Sequence, residues 1–145
     1  KDARATMLMA AAMGATAFQK GLGMIHSLAH PLSSQCEMHH GLANALLLPA
    51  SIDFLLARDL NEDQRGRIET VAALFRDAGY NQTTLGDAAR ACFEGLGITL
   101  GLAANGIPVD AIEALTVEAV DDPCHATNMT PVTREDLCAT YKNAM

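Results

Sequence analysis

Residues 21–49 read GLGMIHSLAHPLSSQCEMHHGLANALLLP, and this stretch decides how the chain is taken. Apolar residues recur at helical spacing on both sides of a polar segment, SSQCEMH. The pattern predicts a short helix from about Met24 to Leu32, a loop, and a longer helix starting at His40 or Gly41. Pro31 is expected to limit or kink the first helix, and Pro49 to kink or split the second. The same stretch gathers four of the chain's five histidines, His26, His30, His39 and His40. His26 and His30 are four apart and would share a helix face. His40 lies across a loop long enough to bring it back beside them. His39 and His40 are neighbours, about 100° apart on a helix, so one of the two must point away from any common site.

Working outward, helices continue in both directions. Upstream, Met7, Leu8 and Phe18 recur at helical spacing with Ala11, Ala12 and Ala15 between them, which predicts a helix over 3–18, closely packed and buried because it is so rich in alanine. Downstream, Asn61 is a cap for a helix carrying Ile68, Val71, Ala72 and Phe75, with Gly79 as its stop. Residues 83–106 read as another helix interrupted by glycines, or as two helices meeting near Gly95 and Gly97. Pro108 stands early in the next, and Thr133, with Asp136 three residues on, caps the last. Half of the 145 residues are hydrophobic, but they are Ala, Leu and Met, and Trp is absent. That mixture favours helix over strand. The expectation is one domain over residues 1–145: all-α, a helical bundle of about seven helices with short loops.

Ten basic against seventeen acidic residues give a formal net charge of -7, which argues against nucleic acid as a partner because phosphate binding needs a basic face. The most apolar run, ANALLLPASIDFLLA at 43–57, is broken by Pro49, Ser51 and Asp53, so no membrane span or anchor is expected. The opening KDARATMLMAAAMGATAF lacks an initiator Met, carries Asp2 and is amphipathic, unlike a signal peptide. It reads as the middle of a longer protein. Cys36, Cys92, Cys124 and Cys138 are scattered without a C-x2-C pair, so reduced thiols and a cytoplasmic location are expected.

Clustered imidazoles suit a transition metal, because neutral nitrogen donors bind at about 2 Å. Spacing alone leaves ordinary core and surface histidines as an open alternative. The wider sequence AFQKGLGMIHSLAHPLSSQCEMHHGLANALLLP resembles the signature of the iron-containing (group III) alcohol dehydrogenases: a glycine-flanked His, a second His followed by Pro-Leu, then His-Gly-x-x-Asn-Ala and Leu-Pro. ARATMLMAAAMGATAF looks like the helix before it in that family, NGIP like its small turn, and AVDDPCHATNMTPVTREDLCATYKNAM like its C-terminal end, where an Asp, a Cys and an Asn-Pro-Arg are usual. Ser33 stands where the family has Gly, and NMT where it has Asn-Pro-Arg.

The resemblance implies the helical C-terminal domain of a dehydroquinate synthase-like fold, working beside an N-terminal domain that binds NAD or NADP. It implies a divalent metal, Fe2+ with Zn2+ as the other choice, held by an Asp, a His one turn later and two further histidines. Those last two align with His26 and His40. His30 aligns with a position beside the metal and nicotinamide, which implies a catalytic and cofactor-facing role, and His39 is left as a loop residue. The first two ligands lie in a D-x3-H segment upstream of the helix that opens this chain. The internal Asp121 to His125 spacing is a decoy, since Pro123 prevents the regular turn. The Gly-rich phosphate loop is also absent from this stretch, GLG at 21–23 being no part of one. Cys124 either lines the cleft or is an inert buried thiol.

The function implied is reversible hydride transfer between a small alcohol or hydroxy acid and its aldehyde or ketone, in a protein that forms homo-oligomers at full length. The 145-residue piece alone is expected to hold metal weakly and to be inactive. Two other classes stand beside this one. One is a non-catalytic helical metal-binding or interaction module, and a D-x3-H and Gly-rich loop upstream would discriminate against it. The other is a metal hydrolase, which needs a carboxylate by the histidines, with Glu37 the only one nearby in sequence.

Overall fold

A computed structural model describes residues 2–145. Seven α-helices and short 3-10 turns, with no strand among the described residues, make up the chain. They are α1 (Asp2–Ala17), α2 (Gly23–Cys36), α3 (His40–Leu56), α4 (Glu62–Asp77), α5 (Leu85–Gly95), α6 (Ile112–Asp121) and α7 (Arg134–Asn143). The all-α expectation holds.

The core lies where α2, α3, α6 and α7 meet. Met24, Leu28 and Leu32 of α2 pack with Leu46 and Leu47 of α3, Ile112 and Leu115 of α6 and Leu137 and Tyr141 of α7. Tyr141 is fully buried and its hydroxyl donates to the Leu28 carbonyl at 2.6 Å, joining α7 to the middle of α2. Capping follows the sequence closely. Asn61 and Gln64 form a reciprocal capping box at α4, and Thr133 and Asp136 form one at α7.

Four expectations are corrected. First, α1 is exposed along its whole length, with Met7, Leu8, Met9 and Met13 each more than 60% accessible. Alanine and methionine make it helical, but burial needs a partner, and α1 packs mainly against the 3-10 turn Phe18–Lys20 that follows it. Second, α2 does not end at Leu32 but runs through Pro31 to Cys36. Ser34 and Gln35 donate to the Glu118 carboxylate of α6, which holds the extra turn down, and Glu37 then stops the helix in the left-handed region at φ 52°. Third, α3 is not split: it is one helix across Pro49, a residue buried against the core. Fourth, no second helix follows Gly95. Gly97 and Gly101 take φ of +81° and +93°, outside the helical region, and only a 3-10 turn forms at Ala103–Asn105.

The entry to α2 is fixed from far along the chain. Thr127 Oγ1 accepts the Leu22 and Gly23 amides at 3.1 Å each, and Asn128 Oδ1 accepts the Met24 amide at 3.3 Å. These side chains satisfy the unpaired N–H groups that every helix start presents. The approach is close enough to demand glycine: a Cβ on Gly21 would lie 2.5 Å from Thr127 Cβ, and Gly21 has φ +104°. Thr127→Val is therefore expected to lower stability by about 1–2 kcal/mol, read from the urea midpoint at unchanged slope. An unchanged midpoint would show that this cap carries no load.

Candidate metal centre

α2 and the start of α3 bring three histidines together. The His26 and His40 ring centroids are 5.3 Å apart with planes tilted at 52°; His30 and His40 are 5.3 Å apart and stacked at 18°; His26 and His30 are 5.9 Å apart, edge to face. His26 and His30 meet because they lie one turn apart on α2. His40 joins them because the Glu37–His39 turn reverses the chain and α3 begins at His40 itself. His39, the residue before α3, is exposed, and its ring lies over Gly41. Phe18 sets its ring edge-on against His26 at 5.6 Å.

These rings differ in what they can do. Two imidazoles sharing a metal at about 2 Å per nitrogen and a tetrahedral angle would put their centroids about 5 Å apart. His26 and His40 meet that spacing with tilted planes that can converge. His30 and His40 lie at the same centroid distance with nearly parallel planes, and what sets His30 apart is its bond to Asp122. Burial pushes the His26 imidazole below its ordinary pKa, the Leu22 carbonyl pulls the other way, and His40 and His30 add to the lowering. His26 Nδ1 is buried and the Leu22 carbonyl lies close enough to act on the ring; a neutral imidazole is the metal-binding form. The donor set fits a divalent metal.

His30 is engaged elsewhere. Its Nδ1 lies 2.7 Å from Asp122 Oδ2, in the turn after α6. Asp122 Oδ1 accepts the Ser27 hydroxyl and the Cys124 amide, each at 2.8 Å, and Ser27 Oγ accepts the His125 amide at 2.8 Å. Burial alone would raise the Asp122 carboxyl, but the His30 ring, the Cys124 amide and thiol and the Ser27 hydroxyl overcome it and hold the group well below the ordinary carboxylate range. A carboxyl depressed in the fold contributes stability that is full above its unfolded value near 3.8 and is lost as pH falls below that value toward the folded one. Acid titration of Asp122→Asn is thus expected to show a shallower loss of stability below pH 3.8 than the parent.

His30, Asp122 and Cys124 place one nitrogen, one oxygen and one sulfur within 4.8 Å of one another. Burial, and then the Asp122 carboxylate, push the Cys124 thiol up to about 11. In the structure the three are tied together by hydrogen bonds through Asp122. The Asp121 to His125 pair is not brought together: α6 ends at Asp121 and a 3-10 turn begins at Pro123. Sequence reasoning about D-x3-H drew attention to Asp121 and passed over its neighbour, although an Asp before a Cys belongs to the C-terminal pattern. Ser27, buried and polar, carried no motif signal at all.

Comparison with known proteins bears on this geometry. The profile of the Fe-containing alcohol dehydrogenase family, C-terminal part, matches residues 1–145. The chain belongs to the Fe-containing alcohol dehydrogenase family. It is 34% identical over 135 residues to a 4-hydroxybutyrate dehydrogenase of Cupriavidus necator, covering 88% of this chain and 34% of that protein. It is 28% identical to an NAD-dependent methanol dehydrogenase of Bacillus methanolicus, covering 99% of this chain and 38% of that one. A solved 1,3-propanediol oxidoreductase superimposes with a TM-score of 0.68 at 25% identity, over 86% of this chain and 33% of that structure. The chain thus spans about a third of the length of these relatives. No helix among the described residues is long and apolar enough to cross a membrane.

Proposed function

We propose that this chain is the metal-bearing helical part of an NAD(P)-linked alcohol dehydrogenase, with His26 and His40 as two of the metal's ligands and His30 as the residue that moves the proton. The observation that carries the reading is the convergence of His26 and His40 from two helices in a spacing and tilt that suit a shared ion. The other two ligands and the dinucleotide loop are supplied by sequence outside these residues, on the expectation drawn from the family pattern. With half of the donor set, the 145-residue piece alone holds metal weakly and does not turn over.

When bound, the metal acts as a Lewis acid, lowering the pKa of an alcohol or polarising a carbonyl. His26 and His40 hold it, and the burial that keeps His26 neutral keeps a lone pair available. His30, with Nδ1 committed to Asp122, has one free ring nitrogen through which a proton can pass between the substrate oxygen and solvent. A nicotinamide held by sequence outside these residues would supply the hydride chemistry. Similarity to relatives named for 4-hydroxybutyrate and methanol supports a substrate among small alcohols or hydroxy acids. Iron is the first choice of metal, with zinc compatible with the same donors. The protein is expected to work as a cytoplasmic homo-oligomer.

The test is a steady-state assay of the full-length protein against short alcohols and 4-hydroxybutyrate, following reduced nicotinamide by its near-ultraviolet absorbance, with iron or zinc added to metal-stripped enzyme. Metal-dependent reduction of NAD or NADP supports the reading. Metal-independent turnover, or hydrolysis without nicotinamide, would refute it.

A further inference from the structure

Asp122 takes no part in the ligand set or in the proton path described above, yet it is the most heavily engaged side chain near the histidines. Three donors converge on it: the His30 ring at 2.7 Å, the Ser27 hydroxyl at 2.8 Å and the Cys124 amide at 2.8 Å. Ser27 and His30 are three apart on α2 and so present one face to it. The shortest contacts set which groups donate to it. Asp122 is a carboxylate at neutral pH and can only accept. Ser27 Oγ already accepts from the His125 amide, so its own hydrogen goes to Asp122 Oδ1, as does that of Cys124 N–H. Oδ2 faces His30 Nδ1, and a bond of 2.7 Å between them requires the hydrogen to sit on the ring. In the neutral ring Nε2 is then the nitrogen with a free lone pair.

We propose that Asp122 is a positioning residue that fixes His30 as the Nδ1–H tautomer and orients its ring, so that Nε2 is the atom through which His30 exchanges a proton. Ser27 is the second member of the device, holding Asp122 in place from the same helix that carries His30. The proposal rests on the reading of His30 as proton carrier in an alcohol dehydrogenase. It differs from that reading in what it asserts of the chain, namely a tautomer that exists before any metal or nicotinamide binds.

The test uses the full-length protein, metal-stripped and labelled with 15N-histidine, with the His30 signals assigned by their loss in His30→Gln. With the parent titrated until the His30 ring is neutral, Nδ1 is expected in the protonated, pyrrole-like range and Nε2 in the unprotonated, pyridine-like range. Nε2 protonation, or an averaged pair, would overturn the proposal whatever the enzyme's activity. Asp122→Asn is isosteric, but its amide presents N–H to Nδ1, and the ring is expected to switch to the Nε2–H form. In metal-loaded enzyme the same variant is expected to lose about 10–100-fold in kcat, a loss typical of removing a partner that orients a histidine, with KM and metal content held within about twofold. A switched tautomer with unchanged kcat would overturn the positioning role. Where Asp122→Asn does not fold, Ser27→Ala takes its place, with a mixed His30 tautomer as the expected result and an unchanged spectrum as the contrary one. A parent that shows the Nδ1–H tautomer but no nicotinamide-linked turnover would leave the tautomer standing and remove the dehydrogenase reading alone.

Discussion

His40→Ala in the full-length protein is expected to abolish stable metal binding, with a loss of affinity well beyond the roughly 10–100-fold that follows from losing a residue that only orients a ligand. His26→Ala is expected to do the same, since the two rings supply the tilted pair at 5.3 Å. Two controls flank them. His39→Ala should keep its metal, because the His39 ring is turned to Gly41 rather than toward His26. His30→Ala should keep its metal but lose about 10²–10⁴-fold in turnover, the range for removing a positioned acid–base group. Metal analysis after gel filtration reads the first three, and kcat the fourth. Full occupancy in His40→Ala would remove His40 from the ligand set.

The second large effect lies in the core behind the site. Tyr141 is fully buried, and burial pushes its hydroxyl pKa far up, so it stays a donor to the Leu28 carbonyl at 2.6 Å. Tyr141→Ala removes both the ring and that bond, and a loss of about 3–5 kcal/mol is expected from cavity formation in such a place. Tyr141→Phe keeps the ring and should lose only about 0.5–1.5 kcal/mol. Leu28 sits midway between His26 and His30 on α2, so the alanine variant should also loosen the metal centre while the phenylalanine variant should not. Denaturant midpoints, with metal titration of both variants, check the pair. Equal losses in the two would mean that the hydroxyl bond, not the packing, holds α7 to α2.

Much of this was legible in residue order because it is local. Asn61, Gln64, Thr133 and Asp136 make caps within three residues of themselves, and the His26–His30 spacing puts two rings on one face wherever it is helical. His40 could be added because a short loop and a helix start leave few places for it. What was not legible depends on distant parts. The Asp122–His30 and Ser27–Asp122 bonds span more than ninety residues, and no spacing rule reaches that far. Pro31 and Pro49 argue locally for interruption, but both are buried within continuous helices. The exposure of α1 shows the reverse case: its composition declares a helix and says nothing about what lies against it.

The central claim, that His26 and His40 share a metal while His30 is held aside by Asp122, is tested most directly by anomalous X-ray scattering at the iron or zinc edge on crystals of the full-length, metal-loaded protein. The account predicts one peak at about 2 Å from an imidazole nitrogen of His26 and of His40, with the His30–Asp122 hydrogen bond intact. A peak between His30, Asp122 and Cys124, or one that touches neither His26 nor His40, would contradict it.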